Sequence, residues 1–139
     1  MTKLLKFDQS SVAKIFGEDF DVEIDGDGDI YVSGYDMPVA VWIKHFDEVN
    51  TLRISTFTKF KEEVNINSAL EFVNEANRSI LYAGYSISAD SNERLLLWGF
   101  NFLDTTYGLD ANFIIASAKK FSSSFVYAVR QDTDDIFFD

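Results

Sequence analysis

The spacing of hydrophobic positions changes along the chain, and the changes mark elements. Val12, Ala13, Ile15 and Phe16 recur at helical spacing after Asp8 as a cap, with Gly17 where a C-terminal cap glycine belongs; they predict a short, one-sided helix. From Phe20 the period drops to two. Phe20, Val22 and Ile24 alternate with acids, Asp25-Gly26-Asp27-Gly28 turns the chain, and Ile30 and Val32 follow with Tyr31 and Ser33 opposite, which is a β-hairpin signal. The runs 39–44 and 52–58 read as further strands around a polar turn, so the first four strands imply an antiparallel meander. A second helix is signalled by Asn65, Asn67 or Ser68 as cap, by the capping-box pattern Ser68-Ala69-Leu70-Glu71, and by the stripe Ile66, Ala69, Leu70, Val73, Ala76 and Ile80. Strands at about 80–89 and 94–102 flank the turn Asp90-Ser91-Asn92-Glu93. A long helix then runs from Asp110 as cap to about Arg130, with Ile114, Ala118, Phe121, Phe125 and Val129 along one side. The expected fold class is α+β: an antiparallel sheet with an N-terminal helix, a middle helix and a long C-terminal helix.

The last strand adds an expectation about assembly. Leu96, Trp98, Phe100 and Phe102 point one way and Leu95 and Leu97 the other, so both faces are apolar where a half-wet antiparallel strand would alternate. Either helices cover both faces, or one face meets a second copy of the chain or another protein. Trp98, Phe100, Phe102, Phe121 and Phe125 are accordingly the candidate protein-binding residues, as the walls of a peptide groove; the competing reading of the same stripe is ordinary core packing.

Length and composition narrow the class. At 139 residues, with 47% hydrophobic and 16% aromatic positions, the chain is expected to form one domain over residues 1–131, followed by an acidic tail at 132–139. No cysteine is present, which excludes disulfides, thiolate metal sites and cysteine nucleophiles. The first seven residues lack the apolar run of a signal peptide and no stretch is long enough to span a bilayer, so a cytoplasmic location is expected. The formal net charge is −11, concentrated in Glu18, Asp19, Asp21, Glu23, Asp25, Asp27, Asp29 and Asp36 and again in the tail. Such a surface repels phosphate backbones, making nucleic acid an unsuitable ligand; it suits a basic protein segment or simply maintains solubility.

Candidate catalytic and metal-binding chemistry does not survive inspection of the spacing. Asp25-Gly26-Asp27-Gly28-Asp29 looks like the start of an EF-hand loop, but Ile30 stands where the bend requires glycine and Asp36 where a bidentate Glu belongs; a tight acidic hairpin turn is the simpler reading. His45 is the single histidine, so every triad or imidazole–metal proposal converges on a residue at the end of an apolar strand. Glu62-Glu63 and Glu71/Glu75 read as solvated helix charges rather than an acid–base pair. Gly26 and Gly28 precede a strand, leaving no helix N-terminus for a phosphate. No catalytic residue, metal or cofactor is expected, and the chain is read as a non-enzyme.

Three stretches carry a family resemblance: Val22-Glu23-Ile24-Asp25-Gly26-Asp27-Gly28-Asp29-Ile30, Met37-Pro38-Val39-Ala40-Val41 and Phe72-Val73-Asn74-Glu75-Ala76-Asn77-Arg78. From about Phe20 to Arg130 the chain resembles the YbjN family of bacterial proteins, often labelled as candidate sensory transduction regulators. The resemblance implies a type III secretion chaperone-like fold, whose members are typically small acidic homodimers that bind extended client segments. Asn74, Asn77 and Arg78 match the helix motif, where capping or cross-bracing of the sheet is an alternative to ligand contact. The expected function is a bacterial regulator or chaperone-like protein acting by protein–protein binding. The alternative is an immunity-type inhibitor whose acidic region blocks the basic cleft of a toxin such as a nuclease.

Overall fold

The computed structural model describes residues 9–17, 19–34, 36–79, 82–132 and 134–137. The elements are α1 (Gln9–Phe16), β1 (Asp21–Ile24), β2 (Ile30–Ser33), β3 (Val41–Phe46), β4 (Thr51–Lys59), α2 (Ile66–Ser79), β5 (Gly84–Ala89), β6 (Leu95–Asp104) and α3 (Ala111–Arg130), with a single 3-10 turn at Asp47–Val49. The expected α+β class and helix order are therefore found. Asp8, Ile80 and the first seven residues, on which parts of the sequence reading rested, lie outside the described residues. No described helix is long and apolar enough to cross a membrane.

The strands form one six-stranded sheet in the order β1-β2-β3-β4-β6-β5, with every neighbouring pair antiparallel. The first four strands are the expected meander. The chain then leaves the sheet through α2, returns at the edge as β5, and closes the gap with β6, which pairs β4 from Thr51↔Asp104 to Lys59↔Leu96.

One face of the sheet holds the core. Ile30, Val32, Val41, Ile43, Leu52, Ile54, Leu97 and Leu103 point to this side and are buried, and α1 adds Val12 and Phe16 while α3 adds Ile114, Ala118, Phe121 and Phe125. Gly99 admits α3: a Cβ built there would lie 2.6 Å from Cδ2 and 3.0 Å from Cε2 of Phe125. Ser122, fully buried on α3, ties the chain ahead of β3 by accepting from Val39 N–H at 2.7 Å and donating to its carbonyl at 2.8 Å. That pair of bonds is why β3 begins at Val41 rather than at the expected Val39: the polar groups of Val39 are spent on the helix.

α2 lies beside α3, and its cap is Asn65, whose Oδ1 accepts from Ser68 N–H at 2.9 Å. Ala69, Val73 and Ala76 are buried, but Ile66 and Leu70, expected on the same stripe, are 48% and 44% exposed. Phe72 takes their place, reaching Phe60 and Phe137 edge-on. The described part of the tail belongs to this packing. Phe137 stacks on Phe60 at 4.7 Å and is 3% exposed, Lys61 N–H donates to Ile136 O at 2.8 Å, and Asp132 accepts from the backbone N–H of both Ile136 and Phe137.

Candidate functional site

Among the described residues, the second face of the sheet carries no helix; α1, α2 and α3 all reach the core through the first. Cross-strand register places Glu23, Tyr31, Trp42, Ser55, Phe100 and Gly84 in one line across the strands of this open face. Phe57, Trp98 and Ser86 form the line above it, and Lys44, Arg53 and Phe102 the line below. The large side chains touch in series: Tyr31 to Trp42 at 4.9 Å between ring centroids, Trp42 to Phe57 at 5.4 Å, Phe57 to Trp98 at 4.7 Å, Trp98 to Phe100 at 6.1 Å and Phe100 to Phe102 at 6.2 Å. Offset contacts of this kind stabilise ring pairs beyond simple burial, so the row is a rigid apolar surface rather than loose side chains. Phe102 at its end is 59% exposed. Trp98 is further fixed by donating its indole N–H to Ser88 Oγ at 2.7 Å.

The row bends around Ser55, a small residue between Trp42 and Phe100 and between Arg53 and Phe57 along its own strand. Ser55 is 1% exposed, covered by its larger neighbours. Below it, Lys44 and Arg53 stand side by side and both lie over the ring of Phe46, at 5.5 and 5.1 Å from its centroid. Asp29 approaches Arg53 from the strand edge at 3.8 Å. Burial, reinforced by the Asp25 charge, raises the Asp29 pKa above the ordinary aspartate value, while Lys44 and Arg53 act in the opposite sense. Among the described residues, one Asp29 carboxylate oxygen and Arg53 Nε are buried without hydrogen-bond partners. The strand charges of this face come close to balancing, Asp21, Glu23, Asp29 and Asp104 against Lys44, Arg53 and Lys59, in a chain whose total is −11.

The sequence-expected residues divide between two places. Trp98, Phe100 and Phe102 are on the open face; Phe121 and Phe125 are 0% and 2% exposed in the core, separated from them by the sheet at Gly99. The five do not line one groove. Tyr31, Trp42 and Phe57, which complete the row, were not singled out from the sequence. Their only signal was phase: Tyr31 and Trp42 each stand between apolar residues that point to the core.

Other candidate groups are engaged in holding the fold. Asp25 Oδ1 accepts from the N–H groups of Asp27 and Asp29, both at 2.9 Å, and Gly28 turns the chain at φ 84°, so the acidic motif is a self-bonded hairpin turn. His45 contacts Thr105 Oγ1 through Nε2 at 3.2 Å and Asp47 through Nδ1 at 3.0 Å. Glu71 and Glu75 line a cleft of about 410 Å3 between α2 and α3 with Tyr127, Gln131 and Asp132. Glu75 is paired with Arg78 and accepts from Ser79 Oγ at 2.8 Å; the Arg78 hydrogen bond holds its pKa below the usual value. Asn77 is the cross-brace considered from the sequence: its side-chain amide donates to Tyr85 O at 3.1 Å and accepts from Tyr85 N–H at 2.7 Å, a two-bond mimic of a neighbouring strand at the β5 edge.

No protein-family model matches the chain, and no curated protein does. Solved structures do. YbjN from E. coli, a candidate transcription regulator, superposes with a TM-score of 0.71 at 14% identity, over 98% of this chain and 99% of that one. An uncharacterized protein from Methanothermobacter thermautotrophicus superposes with a TM-score of 0.62 at 13% identity, over 88% and 94%. The fold of this chain is thus that of YbjN, as the sequence resemblance implied.

Proposed function

We propose that this chain, built on the YbjN fold, is a non-enzymatic, cytoplasmic protein-binding module of the regulator or chaperone-like kind, and that its open sheet face is the binding surface. The observation that carries the reading is the contiguous row Tyr31, Trp42, Phe57, Trp98, Phe100 and Phe102 on a face that no described helix covers. Large apolar patches on a domain of this size are characteristic of contact surfaces, and aromatic residues lose little side-chain entropy on binding. A face whose charges nearly balance, on a strongly acidic chain, supports the same choice of surface: the acids elsewhere keep the molecule soluble.

The test compares Trp98→Ala/Phe100→Ala with Phe113→Ala/Tyr127→Ala, the latter pair altering exposed rings on α3. Each protein is used to capture partners from a lysate of the source organism. The captured protein is then purified and its binding measured by titration calorimetry. Binding lost in the first variant and kept in the second supports the reading; equal binding by both refutes it.

A second reading, an acidic inhibitor of a basic target, is favoured by the exposed Asp21, Glu23, Asp25 and Asp27 along the β1–β2 hairpin at the sheet edge. Charge reversal at Asp27, in the hairpin turn and outside the paired strands of the open face, would weaken inhibition under that reading and leave open-face binding intact.

A further inference from the structure

Resting on the open-face reading, we infer that the partner presents an extended acidic–aromatic protein segment, with a carboxylate that docks on Arg53 and apolar side chains that lie on the Trp42–Phe57–Trp98–Phe100 surface. The argument begins with Arg53. Its guanidinium lies over Phe46 and between Lys44 and Phe102 in register, with 29% of the side chain exposed. Asp29 stands 3.8 Å from its Nη2, outside hydrogen-bonding distance. The exposed part of the guanidinium offers a planar fork at the end of the aromatic row that can take both oxygens of an incoming carboxylate at once. Lys44 beside it adds a second cation at the same end of the row.

The size of the surface fits a segment of that kind. From β2 to β6 the row crosses three strand spacings, about 14 Å, which an extended chain of about five residues spans. Alternate side chains of such a segment would point down onto the Trp42, Phe57, Trp98 and Phe100 rings.

Charge placement disfavours two other occupants. A second copy of the chain packed face to face must be related by a two-fold axis in the interface. If the axis runs along β4, Arg53 lies opposite its own copy, and if it runs between β3 and β4, Lys44 lies opposite Arg53, so either placement brings like charges together. Single-stranded nucleic acid needs cations spaced along a track, whereas Lys44 and Arg53 occupy a single register line bordered by Asp29, with Glu23 and Asp21 closing the same side.

The test uses full-length protein and labelled probes: a short peptide alternating Asp with Phe and Leu, the same peptide with Lys in place of Asp, and oligothymidylate. Binding is followed by label anisotropy and by the fluorescence of Trp42 and Trp98. The acidic peptide is expected to bind at least about tenfold tighter than the Lys peptide. Trp98→Ala should remove binding, Arg53→Glu should invert the order of the two peptides, and Arg53→Lys should fall between, since it keeps the charge and loses the fork. Far-UV circular dichroism verifies each fold, and Arg53→Lys carries the comparison if Arg53→Glu does not fold. Equal or tighter binding of the Lys peptide or of oligothymidylate overturns the inference. So does a concentration-dependent dimer in sedimentation that Trp98→Ala dissolves. If no peptide binds while the captured partner still depends on Trp98 and Phe100, the acidic-segment inference falls and the open-face reading stands.

Discussion

Gly99 and Gly84 offer a matched pair of substitutions on adjoining strands with opposite expected outcomes. At Gly99, an added methyl would sit 2.6 Å from Phe125 Cδ2, 3.0 Å from Cε2 and 3.4 Å from Phe121 Cζ. Neither ring has room to retreat: Phe121 and Phe125 are 0% and 2% exposed, and Phe125 is also stacked on Tyr85 at 6.2 Å. Overpacking of this kind costs about 1–3 kcal/mol, against which the backbone gain of Ala over Gly returns about 0.5–1 kcal/mol. Gly99→Ala should therefore be destabilised by about 1–2 kcal/mol. At Gly84 nothing lies within 4 Å of the added Cβ, so Gly84→Ala should be neutral or more stable by up to about 1 kcal/mol. For a chain of this length 1 kcal/mol corresponds to roughly 3–4 °C in Tm. Urea unfolding followed by circular dichroism and tryptophan fluorescence measures both, and a Gly99→Ala/Phe125→Leu double variant should recover part of the loss. A Gly99→Ala protein as stable as wild type, or a double variant that is merely additive, would sink the claim that Gly99 exists to seat α3.

Other outcomes follow from single contacts. Asn77→Ala removes both bonds to Tyr85 and should cost about 1–3 kcal/mol in urea unfolding, with faster hydrogen exchange at the Tyr85 amide than at its β6 neighbours. Asp29 has a raised native pKa, so above the ordinary aspartate value the native state holds the proton longer than the unfolded one, and its contribution to stability falls as pH rises through that window. Asp29→Asn should flatten this component when urea midpoints are compared between mildly acidic and neutral pH; an unchanged profile would contradict the assignment. Phe137→Ala opens the cluster of Phe60, Phe72 and Phe137 and should lower stability by about 2–4 kcal/mol, whereas a change within about 0.5 kcal/mol would show that the tail segment contributes nothing to the core.

Element identities were legible in the sequence because each follows from local periodicity, and the periodicities are clean. Boundaries failed where a distant side chain intervened. β3 starts late because Ser122, on the last helix, takes both polar groups of Val39; β5 begins at Gly84 rather than near Ile80 because Tyr82 and Ala83 form the turn after α2. The α2 stripe was misjudged at Ile66 and Leu70, since helical spacing gives a face but not which residues of it reach a neighbour. Half of the candidate site was visible as alternating aromatics in β6. The rest required register: nothing local places Tyr31, Trp42 and Phe57 in line with Trp98, and nothing local shows that Gly99 leaves Phe121 and Phe125 on the opposite side of the sheet. Likewise, period alone does not reveal that β6, not β5, neighbours β4.

The insertion of β6 between β4 and β5 has a kinetic consequence. The hairpins of β1 to β4 close short loops and can form while the chain is still being made. The longest ladder in the sheet cannot, because every partner of β4 on β6 lies beyond α2 and β5. Until synthesis reaches Asp104, β4 presents an unpaired edge with Phe57 beside it, and Trp42 and Phe57 lack Trp98. The docking of β6 is therefore the step expected to be slow in folding, and the interval before it the one in which the same rings that later form the open face are exposed to aggregation.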